Sequence, residues 1–181
     1  YYFINLRDTA LHPSWTLPTL SYHEAVPGHH LDGATAMELE VPQVVKALWS
    51  NTSGEGWALY AEQLAAEMGM YADDPFGDLG RLQAELHRAV RLVVDTGMHA
   101  KRWSREQAIE YMVDVEGLDE ATATSEIERY AVWPAQALGY KLGQLRIVAL
   151  REEAEQALGD AFDIRDFNQQ VLNVASAPLP F

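Results

Sequence analysis

Apolar residues recur at helical spacing along most of the chain, and caps, prolines and glycines punctuate the runs. Pro18 suits the first turn of a helix, with Thr16 as the cap before it. This helix runs through Tyr22, His23 and Glu24 toward Pro27-Gly28, the strongest breaker pair in the sequence. A second helix is expected from about Ser53, through Trp57 and Tyr60, to Met68. A third covers about 76 to 98, where Leu79, Leu82, Leu86, Val90 and Val93 form a stripe at three- and four-residue spacing. Ser104 and Gln107 have the form of a capping box and open a helix through Tyr111 to Val115. Asp119 caps a shorter helix. Pro134 opens a long one carrying Leu138, Leu142, Leu145, Val148 and Leu150 up to Gly159. A last helix follows Asp163, with Ile164, Phe167 and Val171 as its apolar stripe. The first sixteen residues are aromatic and irregular, with a short strand at residues 1–6. The pattern predicts a mainly α, multi-helix domain with an irregular or short-strand N-terminal segment.

Length and composition narrow this picture. A chain of 181 residues is enough for one domain, residues 1–181, and for a core that needs neither disulfide nor metal to fold. The net charge of −14 repels a phosphate backbone, so nucleic acid is not an expected partner. No apolar run is long enough for membrane insertion. The absence of cysteine removes thiol catalysis, Cys-ligated zinc and disulfides. The chain opens on Tyr1 and closes on Pro180-Phe181, and both ends read as cut. A missing N-terminal region of the same protein is therefore an expected partner.

The chemistry concentrates between residues 23 and 30, where His23-Glu24 is followed by Pro27-Gly28-His29-His30; these are three of the six histidines. In a helical H-E-x-x-H the two imidazoles share a face and chelate one zinc, and the Glu serves as general base. Here the position four after His23 is Pro27, which cannot ligate. On a straight helix His29 would lie about 240° around and roughly 9 Å along, and His30 on the same face but about 10.5 Å away. Zinc requires donor nitrogens at about 2.0–2.1 Å, so either pairing needs a break between the histidines. Pro27-Gly28 is placed to supply it. Glu55, flanked by Gly54 and Gly56, is the best third ligand, and Glu62, seven further on, suits a partner that orients a ligating His. The plainer alternatives are histidines attracted to a helix C-terminus and a Glu attracted to a helix N-terminus.

Residues 17–30 (LPTLSYHEAVPGHH), followed by 55–62 (EGWALYAE), resemble the bacterial domain of unknown function 885 family. The later runs 91–99 (RLVVDTGMH), 103–108 (WSREQA) and 133–141 (WPAQALGYK) fit as well, so the resemblance covers essentially the whole chain, as the C-terminal, motif-bearing part of longer members. That family is similar in turn to gluzincin metallopeptidases, especially the carboxypeptidase Taq group, in which a shorter H-E-x-G-H precedes a glutamate ligand. Aligned on Gly28-His29, the present motif is an H-E-x-G-H with two residues inserted. The resemblance implies a zincin-like domain with His23, His29 and Glu55 on Zn2+ and Glu24 as base. It favours His29 over His30, as does the smaller axial displacement that a loosened helix must recover.

Three further residue groups are weaker candidates. A carboxylate at Asp95 can orient His99, four residues on, toward a substrate carbonyl, although an exposed helix pair explains the spacing equally well. Gln136, Tyr140 and Gly143 share a helical face, and the Tyr140 hydroxyl can donate to an oxyanion. Gly139 and Gly143 also fit simple close packing, and Tyr130 is a further phenol without a local signal. The tryptophans at 15, 49, 57, 103 and 133 are expected in the core. The expected activity is zinc-dependent hydrolysis of a peptide or small amide substrate. The alternatives are a zinc hydrolase of another amide or ester and a non-catalytic helical metal-binding module.

Overall fold

The structure, a computed structural model, describes residues 9, 12–48 and 50–174. Among these residues the regular elements are helices only. They run α1 (Leu17–Glu24), α2 (His29–Glu38), α3 (Gln43–Ala47), α4 (Asn51–Glu67), α5 (Pro75–Lys101), α6 (Arg105–Glu116), α7 (Glu120–Val132), α8 (Gly139–Leu158) and α9 (Ile164–Asn173). The expected strand at residues 1–6 and Trp49 lie outside the described residues.

Helix α4 is the axis of the domain. Its run from Trp57 to Ala61 is buried on every side, as an all-round apolar helix must be. It meets α8 over its length, with α1 and α2 on other sides. The two axes close where Gly56 faces Gly143: a methyl on Gly143 would stand 2.0 Å from the Thr52 carbonyl oxygen and 2.6 Å from the Gly56 Cα. Only paired glycines permit that approach. Trp57, Tyr60 and Leu64 continue the contact onto Ile147 and Leu172. A second core joins the C-terminal half of α5 to α6 and α7, through Val90, Val94, Met112, Ile127 and Tyr130.

Several local devices match the sequence pattern. Ser104 and Gln107 form a reciprocal capping box, and Asp119 and Asp163 accept backbone N–H groups at the starts of α7 and α9. Others differ. Thr16 does not cap α1, because its hydroxyl donates to the Pro13 carbonyl at 2.8 Å and a 3-10 turn leads straight into the helix. Helix α4 starts at Asn51, capped by Ser50. Pro134 does not open α8. The Asp95 carboxylate accepts the Ala135 N–H at 3.0 Å and Ala135 sits at φ 68°, so a turn and a short 3-10 segment, Gln136–Leu138, intervene before Gly139. Of the five-residue stripe on α5 only Val90 is buried, and Leu79, Leu82, Leu86 and Val93 face outward. Trp133 is also exposed, while Trp57 is buried as expected.

Candidate metal centre

The centre is assembled where α1 stops. The Gly28 N–H donates to the Tyr22 carbonyl at 3.0 Å, folding residues 25–28 back over the last turn of α1. A methyl on Gly28 would stand 1.8 Å from the His23 carbonyl oxygen, so this fold-back excludes any side chain at 28. From α4, the Trp57 indole N–H donates to the Pro27 carbonyl at 2.9 Å and anchors the loop to the centre of the domain. Helix α2 then begins at His29. The fold-back shortens the path between the two histidines, and the His29 ring arrives 4.8 Å from the His23 ring, edge to face.

Glu55, on the first turns of α4, completes the group. Its Oε2 lies 3.1 Å from His29 Nε2 and 3.7 Å from His23 Nε2. One ligand atom from each of His23, His29 and Glu55 falls within 4.8 Å of the other two. Donors on a tetrahedral zinc at about 2.1 Å are about 3.4 Å apart, so the three atoms need only small adjustments to share one ion. Two imidazole nitrogens and one carboxylate oxygen also form the donor set of an open zinc site, with room for a further ligand.

Glu62 sits two helical turns beyond Glu55. It is 2% exposed, and its Oε1 accepts from His23 Nδ1 at 2.7 Å. That bond holds the ring so that Nε2, the atom facing Glu55 and His29, is turned into the centre. Arg88 of α5 approaches the same Glu62 oxygen at 3.6 Å. Burial works against a charged His23, but hydrogen bonds to Glu55 and Glu62 outweigh it and raise its pKa above the usual imidazole value. Burial also opposes ionisation of Glu55, yet the bonds from His23, His29 and Tyr140 hold its carboxyl down at about 2.

Tyr140, on the first turn of α8, stacks against the His23 ring at 6.3 Å and bonds Glu55. The Arg91 guanidinium also lies over the Tyr140 ring, at 4.4 Å, and Gln136 Nε2 donates to its hydroxyl at 3.4 Å. Asn51 locks Gln136 in turn, donating to its backbone carbonyl at 2.8 Å. Glu24 ends α1 beside His23, half-buried, with no hydrogen bond or ion pair among the described residues. His30 is exposed and outside the group. His99 is outside it too: exposed on the last turns of α5, it donates to the Tyr130 carbonyl at 3.1 Å. Its expected partner Asp95 serves the turn at Ala135 instead. The Tyr130 hydroxyl donates to Glu126 at 2.6 Å. Arg88, Arg91 and Asn51 had no signal in the pattern, since each acts through a partner distant in sequence.

Relatives of known structure share this arrangement of the chain. A crystal structure of a Colwellia psychrerythraea protein, described as a candidate lipoprotein, matches 98% of the chain with a TM-score of 0.96 and 56% identity. A Shewanella oneidensis protein, described as a candidate lipoprotein of unknown function, matches 99% with a TM-score of 0.89 and 28% identity. The chain spans only 31% and 33% of these two proteins' own length. No curated protein sequence matches it. The family model described as "Bacterial protein of unknown function (DUF885)" matches residues 1–181, and the chain belongs to that family.

Proposed function

We propose that this chain is the metal-bearing domain of a zinc-dependent hydrolase, with peptides as substrates and a zincin-like relationship to the gluzincin peptidases. The convergence of His23, His29 and Glu55 from three separate helices is the observation that carries this reading. A chance cluster of acidic groups would be solvated, whereas here His23 is 3% exposed and held by a buried carboxylate. Zinc bound there would polarise a substrate carbonyl and acidify a water molecule.

The chain's own residues take the remaining roles. Glu24 holds a carboxylate unpaired among the described residues next to His23, where it accepts the proton of the attacking water and returns it to the leaving amine. Tyr140 presents its hydroxyl to the centre and donates to the oxygen that becomes negative as the carbonyl is attacked. Glu62 and Arg88 keep His23 oriented.

Metal analysis of the purified protein is the first test, and one zinc per chain is expected. Glu24→Gln should retain that zinc while hydrolysis of a peptide panel falls by about two to four orders of magnitude. Protein without stoichiometric metal overturns the reading. Zinc binding with no hydrolysis of peptides, acyl-amino acids or esters by the complete gene product would leave a metal-binding module and overturn the catalytic part.

A further inference from the structure

The outward stripe on α5 and the outer face of the neighbouring α8 both carry apolar side chains that the described residues leave uncovered. Leu79, Leu82 and Leu86 are 51%, 49% and 40% exposed, and Val93 continues the same face one helical repeat later. On α8, Leu142 and Leu145 are 39% and 49% exposed. The two helices run side by side here: Leu142 and Leu138 line one groove with Leu92 and Val93, and Lys141 pairs with Glu85 at 2.6 Å. Isolated exposed leucines are ordinary, but a row of them on each of two neighbouring helices that meet in one apolar groove marks an interaction surface.

Helix α8 strengthens the case. Its Gly143 and Ile147 side is packed into α4, while Leu142 and Leu145 point the opposite way. A helix apolar on opposite faces belongs between two layers, and the described residues supply only one of them. The occupant is indicated by length. The Colwellia psychrerythraea relative shares this fold at a TM-score of 0.96, yet the match spans 31% of its chain, so more than half of that polypeptide lies outside the matched part.

We infer that the α5–α8 face is the seat of the additional region of a longer polypeptide of this family, which covers Leu79, Leu82, Leu86, Leu142 and Leu145 with an apolar layer of its own. This inference is independent of the metal centre.

The chain contains no cysteine, so single thiols report on the face without interference. Leu82→Cys and Leu145→Cys are each prepared in the 181-residue chain and in the complete gene product. Maleimide labelling is timed for both, with the urea-unfolded protein as the fully reactive reference. In the 181-residue chain both thiols should react within about tenfold of the reference, and in the complete product at least a hundredfold more slowly. Equal labelling in the two proteins overturns the inference. So does protection in the 181-residue chain accompanied by a doubled mass in solution, which would make a second copy the occupant. Leu82→Lys with Leu145→Lys supplies a second readout: the double variant should lower the Tm of the complete product while leaving that of the 181-residue chain unchanged.

Discussion

Gly28 shows how one residue decides the centre. Its backbone passes so close to the His23 carbonyl that a methyl group there would overlap the oxygen at 1.8 Å. Gly28→Ala must therefore push the fold-back outward, carrying His29 away from His23. The expected cost is about 2–4 kcal/mol of stability, with zinc affinity lowered by at least a hundredfold. Isothermal titration and thermal unfolding of the purified variant measure both. His30→Ala, at an exposed position, should leave both nearly unchanged. The titratable groups make a second prediction, for protein stripped of metal by a chelator. Glu55, lowered from 4.5 to about 2, contributes stability that is complete above pH 4.5 and is lost as the pH falls toward 2. His23, raised from 6.5, contributes stability that is complete below pH 6.5 and is lost as the pH climbs through its raised value. Metal-free protein should thus be most stable between about pH 4.5 and 6.5. Zinc, which takes the place of protons, should stabilise it most above that window. A melting series across pH checks this, and Glu55→Gln should flatten the acid limb.

At the scale of the element, the contact of α4 with α8 sets how far Glu55 stands from Tyr140. Gly143→Ala places a methyl 2.0 Å from the Thr52 carbonyl, and the helices must separate. A loss of about 2–4 kcal/mol is expected, together with weaker zinc binding, because Glu55 moves with α4. Gly33 in α2 is the contrast: a methyl there meets nothing within 4 Å, so Gly33→Ala should stabilise the protein by about 0.5–1 kcal/mol. Chemical denaturation of the two variants separates the outcomes. The elements differ in how far the chain's own pattern announces them. Helices α6, α7 and α9 carry their caps in adjacent residues, and α4 carries an apolar run, so all four are legible locally. Helices α2 and α3 bury no residue, have no side-chain cap and show no stripe, and nothing local distinguishes them from loop. The start of α8 depends on Asp95, forty residues away, which no local pattern contains. The same division holds in the centre. The grouping of His23, His29 and Glu55, with Glu62 on His23, was legible because His and Glu at these spacings stand out in the chain. The Asp95–His99 spacing misled, since four residues on a helix place two side chains near one face without fixing what each one bonds.

For the whole molecule, the centre draws its side chains from α1, α2, α4 and α8. Tyr140 stands against His23, backed by Arg91 and Gln136, while the His29 side chain keeps 22% of its surface exposed. Ligand pockets commonly lie between two lobes, and the relatives of known structure carry about twice as much additional chain as the part matched here. Metal affinity and substrate positioning should therefore separate. The three proposed ligands and Glu62 all belong to this chain, so the 181-residue domain should bind zinc within about threefold of the complete gene product's affinity. A peptide, by contrast, must be held in line with Glu24 and Tyr140 for orientation to contribute to the rate. Without the additional chain of the longer proteins, kcat/KM for the isolated domain should be at least tenfold lower, chiefly through a higher KM. Equal zinc affinity with reduced turnover, measured on samples with matching helical circular dichroism, is the expected result. Equal kcat/KM in both proteins would show that these residues alone build the cleft, and would assign substrate binding to the open side of His29.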